Sequence, residues 1–176
     1  MTNPESLAPE LHRPVALAHI GAGGTLREVV ADAAECVAIA ARLGIPAVAA
    51  LSCRLHLAAP EHGVVVARGT LAARVNRECI VTAEEFEVDV HEEFRVRFVP
   101  ADKFVESDDD NIDLDADDDL PYQGVHIDLG EAVVEQLALA LDPYPRMPGA
   151  ELPEGTGDGI ADTSPFAALA RRAREG

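Results

Sequence analysis

Apolar and polar residues alternate through the middle of this chain, and this alternation limits its fold more than any other feature. The stretches that carry it are residues 51–57, 64–75, 86–90 and 94–98. A period of two residues is typical of strands with one buried face. The connections between the stretches are short, whereas a parallel pair of strands would need a long crossover. The alternation therefore predicts an antiparallel meander.

Three details of this meander are less regular. Ile80 and Val81 follow a polar stretch and are expected to extend or restart the second strand. Glu92 interrupts the apolar positions between Phe86 and Phe98, which predicts a bend, a bulge or two successive strands. A further short strand is expected nearer the N-terminus, at residues 15–20.

A helix is predicted over residues 25–43. Thr25 and Glu28 have the spacing of a capping box, and Gly44 is a favourable residue just beyond a helix end. Between them, apolar residues recur with the period of one helix face, and these are Leu26, Val29, Val30, Ala33, Val37 and Ala40.

A second helix is predicted close to the other end of the domain. Asp128 and Glu131 repeat the capping-box spacing, with Asp128 in the role of the cap. The tetrapeptide at 142–145 contains two prolines and ends this helix. The apolar residues that mark its buried face are Val133, Val134, Leu137 and Leu141.

Together these elements predict an α+β domain over residues 1–147, in which an antiparallel, curved or partly closed sheet has a helix near each end. The segment 106–119 has nine acidic residues, and their mutual repulsion predicts a mobile loop. Residues 148–163 are rich in Gly and Pro and are expected to form a linker. Residues 164–176 are expected to form a short C-terminal helix.

The chain is strongly acidic, with 14 Lys and Arg against 32 Asp and Glu and a net charge of -18. Nucleic acids and anionic membranes attract basic proteins, so we expect no membrane binding and at most a local nucleic-acid contact. A basic protein is the partner that this charge favours. The three cysteines form no disulfide framework, and we find no signal peptide and no transmembrane run. These features predict a cytoplasmic protein.

Short motifs give little support for catalysis or for a cofactor. The glycines at 21–24 lack the third glycine and the later acidic residue of a dinucleotide-binding turn. A calcium loop beginning at Asp113 would lack its central glycine and its final glutamate. Cys53 and His56 have zinc-like spacing, but no second pair follows them. We therefore predict neither cofactor nor metal, and a small hydrolase using Cys79 or a carboxylate pair is the least favoured alternative.

Five stretches occur in an order that resembles a known family. Residues 69–75 lead into 79–82, and an acidic strand with 94–98 follows. After the acidic loop come 127–145, with an Asp-Pro-Tyr-Pro end, and the chain closes with 164–169. This order resembles the YceD family of large ribosomal RNA subunit accumulation proteins, of the alphaproteobacterial type. The family-motif positions are Cys79, Thr82, Asp128, Glu131, Pro143, Tyr144 and Pro145.

The resemblance implies a bacterial, cytoplasmic and non-enzymatic protein that is needed for normal accumulation of the large ribosomal RNA. Many members have a second cysteine at the position of Thr82 and a later one after the Tyr-Pro stretch. This chain has neither, since residues 147–151 contain no cysteine. A metal or redox role is therefore not expected, and Cys79 is interpreted as a buried residue at a strand end.

The expected partner is a basic ribosomal protein or the large-subunit precursor particle. The alternative is a general acidic chaperone without a ribosomal link. The C-terminal segment offers candidate partner-binding residues, although its helix can equally pack on its own domain. These candidates are Pro165, Phe166, Leu169, Arg171, Arg172 and Arg174.

Overall fold

The predicted meander forms the centre of the fold. The computed structural model describes residues 9–58, 60–104 and 118–151. The helices and strands of these ranges are β1 (Pro14–Ala16), β2 (Thr25–Val30), α1 (Ala33–Leu43), β3 (Ala47–Leu57), β4 (Val65–Glu78), β5 (Glu85–Pro100), β6 (Asp118–Tyr122), β7 (His126–Asp128) and α2 (Leu129–Ala140).

One sheet contains five of the strands, in the order β2-β3-β4-β5-β6. The first four strands are antiparallel to their neighbours, whereas β6 runs parallel to β5. β1 and β7 form a separate antiparallel pair. The sheet is open rather than closed, so the predicted α+β class with a partly curved, mainly antiparallel sheet and two flanking helices is confirmed.

The alternation separates the two faces of this sheet. We call inner face the side that contains Leu71 of β4 and outer face the side that contains its neighbour Thr70. Leu71 is buried and pairs with Cys53 on β3, whereas Thr70 is exposed. Helix α1 lies against β3, and α2 contacts β2, β4 and β5. The hydrophobic core thus lies between the inner face and the two helices.

The predicted helix over 25–43 is wrong in its first half. Thr25–Val30 is strand β2, which pairs with β3 from Thr25 opposite Leu57 to Val30 opposite Ser52. The β-branched residues of this short stretch suit a strand, and pairing with β3 overrides the helical period. Three residues assigned to the helix face are in fact exposed, with Leu26 at 72%, Val30 at 54% and Val37 at 71%.

Helix α1 has the predicted end but a different start. Asp32 is its N-cap and accepts hydrogen bonds from the backbone N–H of Ala34 at 2.8 Å and of Glu35 at 2.9 Å. The Glu35 carboxylate accepts the N–H of Asp32 at 2.8 Å, which completes a capping box. Gly44 ends the helix in the left-handed conformation, with φ of 63°. The motif predicted at Thr25 and Glu28 lies seven residues later in the chain.

β5 is continuous, so the bulge or the two successive strands predicted at Glu92 are wrong. Its register with β4 is unbroken, and Glu92 lies opposite Leu71. Glu92 stays exposed because it lines an open groove at the edge of the helical layer. Ile80 and Val81 likewise extend no strand. They lie in the turn between β4 and β5, which the Ala83 N–H closes on the carbonyl oxygen of Cys79 at 2.8 Å.

The remaining expectations concern shorter segments. The strand expected over 15–20 ends at Ala16, and Leu17–His19 form a single 3-10 turn. Asp118 and Asp119, the last residues of the predicted acidic loop 106–119, begin β6, which the sequence did not predict. Residues 105–117 and 152–176 lie outside the described residues, and with them most of this loop, most of the linker 148–163 and the whole C-terminal helix 164–176.

Candidate partner-binding groove

The structure divides the predicted motif positions into two clusters at opposite ends of α2. Cys79 and Thr82 lie beside Pro143, Tyr144 and Pro145, after the C-terminal end of the helix. Asp128 and Glu131 lie at its N-terminal end.

The first cluster joins the β4–β5 turn to the segment after α2. The N–H of Ile80 donates to the carbonyl oxygen of Pro145 at 3.0 Å. The N–H of Met147 donates to Cys79 Sγ at 3.3 Å. Two residues before Cys79, the Arg77 guanidinium donates to the carbonyl oxygen of Asp142 at 2.7 Å. These bonds hold the segment 142–147 against the end of the β4–β5 hairpin.

Cys79 is the anchor of this junction. It is 1% exposed, so its prediction as a buried residue at a strand end is confirmed. The hydroxyl of Thr82 and the N–H of Met147 lower the pKa of its thiol to about 7. Within the described ranges, no three His, Cys, Asp or Glu side chains lie close enough together to hold a metal ion. The polarised sulfur thus accepts hydrogen bonds that position the backbone.

A groove of about 550 Å³ runs beside this junction, between β5 and the segment after α2. Its apolar part combines inner-face residues of β5 with the end of the helix. The residues that line it are Arg77, Phe86, Glu87, Val88, Asp89, Val90, His91, Glu92, Ala140, Leu141, Asp142, Pro145, Arg146 and Pro148. The sequence did not predict the groove, because it forms between segments that are far apart in the chain, and Pro145 is the one lining residue among the family-motif positions.

The groove follows a sheet edge. β6 pairs with β5 only from Val96 to Pro100, and no strand of the described ranges pairs with that side of residues 85–95. Those eleven residues contain five acidic side chains and one arginine. Such an edge presents unpaired backbone N–H and C=O groups. Three of the five acidic side chains, Glu87, Asp89 and Glu92, line the groove, which also contains Arg77 and Arg146. The groove therefore combines main-chain hydrogen-bonding groups, an apolar wall and a small excess of negative charge.

The second cluster ties the N-terminal segment to α2. The Asp128 carboxylate caps α2 by accepting the N–H of Gly130 at 2.9 Å, and it also accepts the N–H of Arg13 at 2.9 Å. Glu131 pairs with Arg42 of α1 at 2.6 Å. The predicted cap at Asp128 is confirmed, but Glu131 binds another helix instead of closing a capping box. Nothing in the local sequence could reveal these partners, because they are distant in the chain.

The six candidates of the C-terminal segment lie outside the described residues, so they remain predictions. They are Pro165, Phe166, Leu169, Arg171, Arg172 and Arg174.

Comparison with known proteins matches residues 67–171 to a family described as large ribosomal RNA subunit accumulation protein YceD. The chain belongs to the YceD family. The predicted resemblance is therefore confirmed, and the matched range contains β5, α2 and the groove between them. No curated protein and no solved structure matches the chain. None of the described helices has the length and apolar character needed to cross a membrane.

The family resemblance can be compared with the hydrogen bonds that Cys79 accepts. The resemblance places the additional cysteines of other members at Thr82 and within 147–151. In this chain the Thr82 hydroxyl lowers the pKa of Cys79 most, followed by the N–H of Met147, and the N–H of Val81 also contributes. The N–H groups of Val81 and Met147 donate to this sulfur at 3.4 Å and 3.3 Å.

Proposed function

We propose that this YceD-family protein supports accumulation of the large ribosomal RNA by binding a basic ribosomal protein or the precursor particle that contains it. The observation that carries the proposal is the groove along the acidic edge of β5. The family description supports the link to the large subunit.

The proposed mode of binding is strand addition. An extended segment of the partner would hydrogen-bond to residues 85–95, along the edge that no described strand occupies. Its apolar side chains would contact Val88 and Leu141, and its Lys and Arg side chains would meet carboxylates such as Glu92. A second copy of this chain fits poorly, because it would place an acidic edge against an acidic edge.

We propose binding in the cytoplasm rather than catalysis. Cys79 lies at the junction beside the groove, and its 1% exposure leaves no access for a substrate. Cys53 is also buried, and burial raises the pKa of its thiol to about 12. Burial therefore keeps both sulfurs from attacking a substrate.

Deletion of the gene tests the function. We expect the ratio of large to small ribosomal RNA to fall and to recover when the wild-type protein is supplied. An unchanged ratio in the deletion strain would overturn the proposal.

Affinity purification separates this function from the alternative suggested by the net charge of -18. Selective recovery of large-subunit ribosomal proteins supports it. Recovery of basic proteins regardless of origin would instead indicate a general acidic chaperone.

A further inference from the structure

The outer face of the sheet carries a row of basic side chains in an otherwise acidic protein. His56 of β3 lies opposite Arg68 of β4, and Arg68 lies opposite Arg95 of β5. All three are exposed. Arg54 and Arg97 point to the same face, each two residues along its strand from a member of the row. We call these five residues the basic row.

This arrangement works against the stability of the sheet. Like charges directly opposite each other on neighbouring strands are destabilising. Arg74, on the same strand and face, has acidic residues of the neighbouring strand beside it. It pairs with Asp89 at 3.0 Å and lies 3.4 Å from Glu87. Arg68, by contrast, has no ion pair among the described residues.

In the described part of the chain, acidic residues lie beside the basic row, and Arg95 itself has a partner. Glu28 lies 3.6 Å from Arg54, and Asp119 lies 3.1 Å from Arg97. Glu93 lies opposite Thr70, two residues along β5 from Arg95 and on the same face of the sheet. Surface charges are screened beyond about 8 Å at physiological ionic strength. Acidic residues farther than this from Arg68 therefore have little effect on an anion bound there.

A shallow cleft of about 480 Å³ opens beside the row. Its lining includes Arg54, His56, Arg68 and Arg95 of the basic row. The row spans two interstrand spacings, roughly 10 Å. A surface of this length and openness suits an extended polyanion, and guanidinium groups bind phosphates with two donors.

We propose that the basic row binds the phosphate backbone of RNA. The choice of RNA rests on the proposed function, which places this protein with the large-subunit precursor. The acidic edge of β5 and the basic row would then contact the two components of the same particle, a basic protein and its RNA.

The test is binding of the full-length protein to a fluorescein-labelled uridine oligoribonucleotide, followed by anisotropy over a range of salt concentrations. Each phosphate contact contributes about -0.7 to the slope of log affinity against log salt concentration. We expect Arg68→Ala to weaken binding by about fivefold and to reduce the magnitude of this slope by about 0.7. Arg74→Ala is the matched control, and we expect it to change neither quantity.

Three results would overturn the proposal. They are no binding by the wild-type protein at physiological salt, equal losses in Arg68→Ala and Arg74→Ala, and displacement of the RNA by an acidic peptide at equal charge concentration. The last result would assign the row to an acidic protein segment.

A second variant separates loss of binding from loss of folding. Arg68→Glu places a carboxylate opposite Arg95, so we expect it to fold as stably as wild type. It should lose RNA binding and still capture ribosomal proteins through the groove. If ribosomal RNA levels depend on the gene but the protein binds no RNA, the proposal for the basic row is overturned and the proposed function stands. If RNA binds through Arg68 but deletion of the gene leaves the ratio of ribosomal RNAs unchanged, the proposed function is overturned and RNA binding by the basic row stands.

Discussion

The two faces of the central sheet consist of alternate residues of the same strands but differ in their chemistry. Leu71 of the inner face is buried under the helices, and the adjacent Thr70 of the outer face is exposed. Burial of apolar area stabilises the inner face. The outer face contributes little to stability, so its charges can be arranged for binding. The fold and the proposed interactions thus depend on different residues of one sheet.

The largest expected effect tests this division at two adjacent residues. Leu71→Ala should lower the free energy of unfolding by about 3 kcal/mol, because it leaves a cavity in the core. Thr70→Ala should change it by less than about 0.5 kcal/mol. Urea unfolding of both variants measures the difference. Similar losses in the two variants would show that the outer face is also under a packed layer.

A smaller effect concerns the helix that covers the inner face. The hydrogen bond from the Arg13 side chain lowers the pKa of Glu35 most, and the bond from the N–H of Asp32 lowers it further. A carboxyl whose pKa is lower in the folded than in the unfolded protein stabilises the folded state at pH values above its pKa in the unfolded protein. This stabilisation is lost as the pH falls through its pKa in the folded protein. We expect the unfolding free energy of wild type to decline below pH 4.5, the ordinary value for this carboxyl.

The charge of Glu35 can be removed while its hydrogen-bonding shape is kept. Glu35→Gln should flatten this acid decline, measured by urea unfolding at successive pH values. Glu28→Gln on the outer face is the control, since Glu28 lies 3.6 Å from Arg54 in an exposed pair. If Glu28→Gln flattens the decline as strongly as Glu35→Gln, the decline does not come from the Arg13–Glu35 contact.

The sequence predicts the inner face better than the outer face for a physical reason. Alternation in β3 and β4 and the cap at Asp128 are local patterns, and the structure confirms them. The stretch 25–30 satisfies both a helical and a strand period, and only pairing with β3 decides between them. The basic row depends on register between three strands, so single residues such as Arg68 carry no sign of it.

The candidate groove was predictable only in part. The resemblance identified Cys79 and Pro145 as family-motif positions, and the structure joins their neighbourhoods through the Ile80 hydrogen bond. That no described strand pairs with this side of residues 85–95 depends on where β6 begins to pair, and the sequence did not predict β6.

The most direct test of the account is crosslinking followed by co-purification with wild type, Glu92→Lys and Glu93→Lys. These variants make the same charge change at adjacent residues, but Glu92 lines the groove and Glu93 faces the other side of the sheet. We predict that wild type and Glu93→Lys capture a basic large-subunit ribosomal protein, crosslinked within residues 85–95, and that Glu92→Lys does not. Equal capture by both variants, or crosslinks confined to other surfaces, would contradict the account.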